Sequence, residues 1–89
     1  MRIDTIVNLV DGILTNSGYI SDVIGFADKI EKVKREFLFI SNDRDEIKKA
    51  VEKGVYAILY SDDSIEIIDN EIAWINVLNI NEALLALLK

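Results

Sequence analysis

The stretch Arg35–Tyr60, REFLFISNDRDEIKKAVEKGVYAILY, decides the fold. Phe37–Ile40 is an uninterrupted apolar run bounded by charge, the pattern of a strand buried on both faces. Asp43 is placed to accept from the first N–H groups of a helix, with Glu46 three residues on to reach back. Ile47, Ala50 and Val51 then form a narrow apolar stripe, while Lys48, Lys49, Glu52 and Lys53 face water. Gly54 stands where a left-handed C-cap belongs, and Val55–Tyr60 reads as a second buried strand. Two such strands joined by one helix are expected to be parallel, with a right-handed crossover.

Working outward, Ile3, Ile6, Val7, Leu9 and Val10 share one helical face, with Asp4 expected to cap the start and Gly12 to end it. Turn chemistry follows at Asn16-Ser17-Gly18 and at Gly25, which leaves short strands at Ile13–Thr15 and Ser21–Phe26. Asp28–Glu36 is a charged connector. On the far side, Ser61–Ser64 is a turn, Ile65–Asp69 alternates as a short edge strand would, and Ile72–Leu78 is a third apolar strand. Asn79 with Glu82 repeats the capping pattern and opens a helix through Leu88. The expectation is one α/β domain over 1–89, with a mostly parallel or mixed sheet of four to five strands and three helices.

Composition narrows the chemistry. The chain has 89 residues and a net charge of −6, with 51% hydrophobic residues and no His, Cys or Pro. It is large enough for one core without staples. The acidic balance argues against nucleic acid or an anionic membrane as partner, since both need a dense field of Lys and Arg. No thiolate or imidazole is present, so any catalysis would fall to carboxylates, Lys or hydroxyls. The N-terminus lacks signal-peptide character and no apolar run approaches a membrane span, so a cytoplasmic protein is expected.

The turn Ser41–Glu46 has no glycine and three acids, which suits a capped corner and repels phosphate. Only Arg44 argues otherwise. Asp62 and Asp63 are adjacent acids at a turn rather than spaced ligands converging on a cation. Lys29, Lys32, Lys34 and Arg35 form the one basic cluster, but Asp28, Glu31 and Glu36 interleave and nearly cancel it. Trp74 and the three tyrosines read as structural. No metal or cofactor is expected. The last helix departs from this pattern: Ile80, Ala83, Leu84, Leu85, Ala86, Leu87 and Leu88 make it apolar nearly all round. A surface helix needs an apolar arc somewhat over 100° wide. Either the helix is unusually buried, or Leu84, Leu85, Leu87 and Leu88 meet a second copy or another domain.

The order and spacing of these elements resemble the N-terminal domain of the Mur ligases, chiefly those adding the third residue or the dipeptide to UDP-N-acetylmuramoyl peptides. Lys29–Ser41 lines up without gaps against the family's DSRKVKPGDLFVA segment, keeping Lys32, Val33, Lys34, Leu38 and Phe39. Asn42–Leu59 lines up against the next segment, keeping Asp45, Ile47, Ala50, Gly54 and Ala57. The stretch Ile72–Leu88 matches a strand and a Leu/Ala-rich helix. The resemblance implies an α/β domain that holds a UDP-linked substrate, with Lys32, Lys34 and Arg44 as remnants of a ligand site. The family's Asp-Ser-Arg is replaced here by Lys29-Ile30-Glu31, and its Asp-Gly-His by Asn42-Asp43-Arg44. A site that hydrogen-bonds its substrate loses strongly when those groups go. The expectation is therefore a non-catalytic interaction or oligomerisation module, with a nucleotide-binding domain of a cell-wall ligase as the alternative. The family's phosphate-binding glycine loop is not in these residues.

Overall fold

The computed structural model describes residues 1–16 and 18–89, so the Ser17 part of the expected turn lies outside the described residues. The elements run α1 (Ile3–Leu9), β1 (Ile13–Asn16), β2 (Gly25–Ala27), a 3-10 turn (Ile30–Lys32), β3 (Phe37–Ile40), α2 (Arg44–Lys53), β4 (Ala57–Tyr60), β5 (Ala73–Asn76) and α3 (Ile80–Leu88). One five-stranded sheet has the order β1-β5-β4-β3-β2. Strands β2 to β5 are parallel to their neighbours, and β1 lies antiparallel on β5. This is the expected small α/β domain with a mixed sheet and three helices.

Alternation along the strands builds two cores. Leu38, Ile40, Ala57, Leu59, Ala73 and Ile75 face α1 and α3, whose Ile3, Ile6, Ala83 and Leu87 fill that side. Phe39, Ile58, Tyr60 and Trp74 face the opposite way, against Ile47 and Ala50 of α2. The central strands are therefore apolar without interruption, since each face is covered by helix. Trp74 is fully buried, its ring edge-on to Tyr60 and its indole N–H donated to the Asp69 carbonyl at 2.8 Å.

Several local readings shift. Asp4 sits inside the first turn of α1, bonded to Arg2 and to the Thr5 N–H, and the N-cap is Arg2. At the other end of α1 the left-handed residue is Asp11, φ 54°, rather than Gly12. The Asp11 N–H bonds the Asn8 carbonyl and the Gly12 N–H the Val7 carbonyl, which closes a Schellman turn. Gly12 is needed for room: a Cβ there would lie 2.8 Å from Ile75 Cγ2.

The segment expected as a strand over Ser21–Phe26 divides. Ser21 and Val23 bond Ile3 and Met1 of the N-terminus, and only Gly25–Ala27 joins the sheet. Ile65–Asp69 forms no strand. The outer edges of the sheet belong to β1 and β2, and this segment, between β4 and β5 in the chain, pairs with neither. Strand β5 stops at Asn76, and Leu78 projects into solvent at 97% exposure.

For α2, Asp43 accepts from the Glu46 N–H at 3.1 Å as expected. The reciprocal bond from Glu46 is not formed, because the Asp43 N–H goes to Ser41 Oγ at 2.9 Å. Gly54 ends α2 in the left-handed region, φ 92°. Asn79 caps α3 by accepting from the Asn81 and Glu82 N–H groups at 2.9 and 3.1 Å. No described helix is long and apolar enough to cross a membrane.

Candidate functional site

In an open parallel sheet, ligands usually sit outside the carboxyl ends of the strands, and the turn after β3 lies there. Its polar groups are taken up by the chain itself. Asn42 Oδ1 accepts from the Ser61 N–H at 2.8 Å and the Asp62 N–H at 3.0 Å, and Asn42 Nδ2 donates to Ser61 Oγ at 2.9 Å. One side chain thus ties the end of β3 to the end of β4. Ser41, the one buried polar residue among those described, accepts from Asp43. Arg44 donates to the Ser64 carbonyl and to the Ser64 hydroxyl.

Asp62 in turn accepts from the Ser64 N–H and Oγ at 2.9 and 2.7 Å. The hydroxyl, then the amide, and more weakly the Arg44 charge hold its carboxyl below the usual carboxylate range. Among the described residues no buried side-chain polar atom lacks a partner, and no three acids converge as a metal site would require. The corner is a cross-braced turn in which the side chains of Ser41, Asn42, Asp43, Arg44 and Asp62 all bond the chain itself.

Lys32, Lys34 and Arg44 are not brought to one place. Lys32 lines a hollow of about 300 Å³ with Phe26, Asp28, Leu84 and Leu88. An adjoining hollow of about 260 Å³ shares Asp28 and Leu84 and reaches Ser41 and Asn42. Together they make a groove between α3 and the carboxyl ends of β2 and β3. Arg44 lines a separate hollow of about 270 Å³ beside Ile47, Ile65 and Ile68, toward the α2 side of the sheet. Lys34 is exposed and lines none of these three.

The apolar last helix resolves into two faces. Ala83 and Leu87 are buried, so Leu87 belongs to the core and not to an outward contact face. Leu84 is half-buried against the same core. Leu85 and Leu88 stand out of it at 62% and 64% exposure. They form a ridge with hollows on both flanks, one being the Lys32 groove. The other, about 220 Å³, is lined by Leu9, Leu78, Glu82 and Ala86. Leu9 and Leu78 are exposed on this flank, where the sequence signals only an amphipathic stripe for Leu9 and the end of a strand-like run for Leu78. A ridge between two grooves is the surface that helix–helix packing uses.

No protein-family model matches the chain, and no curated protein matches it.

Proposed function

We propose that this chain is a non-catalytic contact module on a Mur-ligase N-terminal-like skeleton, and that it meets its partner through the outer face of α3. One observation carries the reading: two of the helix's leucines, Leu85 and Leu88, project from a folded core that already holds Leu87. Leaving their exposed part in water forgoes roughly 1–2 kcal/mol each of the transfer energy that burial releases. Leu78 and Leu9 add exposed apolar surface on the Ala86 flank of the same helix, and exposed apolar surface marks contact sites. The cross-braced corner after β3 supports the same reading, since its polar groups serve the fold.

A UDP-linked ligand is the competing use of the molecule. A diphosphate needs converging cations, whereas Asp28 lines both halves of the groove and Asp43 its Asn42 end, with Lys32 the one lysine present. Amide shift mapping with UDP or a UDP-N-acetylmuramoyl peptide is expected to show no saturable change over residues 28–45. Saturable change there would favour the nucleotide-binding reading.

The contact reading is tested with a photo-crosslinking residue placed at position 85 and, as control, at the exposed Lys49 of α2, in cells expressing the protein. Adducts are expected at 85 in clear excess over 49. Equal yields from the two positions would sink the reading.

A further inference from the structure

We infer that the occupant of this face is a second copy of the chain, its α3 antiparallel to the first. The inference rests on the contact reading and names its partner. At 100° per residue, Asn81, Leu85 and Leu88 fall on the outward side of α3, opposite the buried Ala83 and Leu87. Glu82 lies in α3 and Lys89, seven positions on, is its C-cap residue; continuing the helical rotation to that residue returns the two to the same flank within about 20°. That is the flank of Ala86 and the Leu9–Leu78 hollow.

Glu82 and Lys89 are also symmetric about the midpoint between Leu85 and Ala86. A two-fold axis there turns one α3 antiparallel to the other and leaves each flank on its own side. Glu82 of one copy then meets Lys89 of the other, twice, while Leu85 lies next to the axis. The surface is self-complementary in charge, as an isologous interface must be: the acid and the base of one flank each meet their unlike copy, and the leucine ridge meets itself across the axis. Neither Glu82 nor Lys89 has an ion-pair partner within the chain, where Arg2–Asp4 is the one pair among the described residues.

Charge also restricts where two copies can meet. Each carries −6, so two copies repel overall, whereas here the Glu82 and Lys89 side chains oppose unlike charges, with Asp11 also lining the Leu9–Leu78 hollow. Helix α3 is roughly 13 Å long, so the area is small and the dimer belongs to the weak, reversible class.

Sedimentation equilibrium of the 89-residue chain over about 10 µM to 1 mM should show monomer–dimer exchange. Glu82→Lys and Lys89→Glu should each weaken dimerisation about three- to tenfold, and the double reversal should restore it. Glu82→Lys is the sharper arm. It lowers the net charge from −6 to −4, so general repulsion alone would make that variant associate more tightly. A chain still monomeric at 1 mM, a Glu82→Lys variant that dimerises as well as the parent, or a double reversal that fails to rescue would each overturn the inference. Crosslinks from position 85 to a different protein would overturn the second copy yet leave the contact reading standing. No crosslinks there would end both.

Discussion

At the scale of single residues, the side chains that matter most are those taking up backbone groups across the sheet. Asn42 holds two N–H groups of the β4 exit and a hydroxyl. Asn42→Ala leaves the part-buried Ser61 N–H unpaired and is expected to cost about 1–3 kcal/mol, measured by urea unfolding. Asp11 holds a left-handed conformation that glycine adopts without cost, so Asp11→Gly should stabilise by up to about 1 kcal/mol.

Asp62 gives a pH test. Its folded carboxyl lies below the ordinary value of about 4, so it binds a proton less readily folded than unfolded. The stability it contributes is therefore present above about pH 4 and is lost as pH falls through the folded value. Ser64→Ala removes both the hydroxyl that Asp62 accepts from and an Arg44 contact. The Asp62 carboxyl carbon, followed by NMR, should then titrate at higher pH than in the parent, and an unchanged midpoint would refute the assigned cause.

At the scale of elements, α3 separates packing from exposure within one turn. Leu87→Ala opens a void against the sheet and should cost about 2–5 kcal/mol. Leu85→Ser, on the outward side, should change monomer stability by less than about 0.5 kcal/mol. Chemical denaturation of both variants at low protein concentration checks the contrast, and similar losses would mean that the two faces were misassigned. Helix α2 shows how much of an element is written locally: its cap, stripe and glycine stop are all in place. Its corner also shows the limit. Ser41 competes for the Asp43 N–H, so the second half of the capping pair does not form.

At the scale of the whole molecule, the sheet carries a separate core on each face, and Trp74 reports on one of them. It is fully buried beside Tyr60, on the α2 side. Its emission should be blue-shifted in the native protein and move to the red on unfolding. A chain this small, with both cores sharing every central strand, is expected to unfold in one step. Tryptophan fluorescence and far-UV circular dichroism should therefore trace the same denaturation curve. A curve for Trp74 displaced from that of the helices would show that the two cores melt separately.

The sequence by itself determined β3, α2, β4 and the start of α3, because an apolar run, a cap, a stripe and a glycine stop act over one to four neighbouring residues. It also determined the class of fold, since uninterrupted apolar strands require cover on both faces. Only the tertiary structure decided which alternating segment found a strand partner: Ile65–Asp69 did not, and Ser21–Val23 paired with the N-terminus. Only the tertiary structure, too, sorted the leucines of α3, because a helix apolar all round gives no sign of which side meets the sheet. That choice is made by the strands it packs on, which placed Leu87 inside and left Leu85 and Leu88 outside.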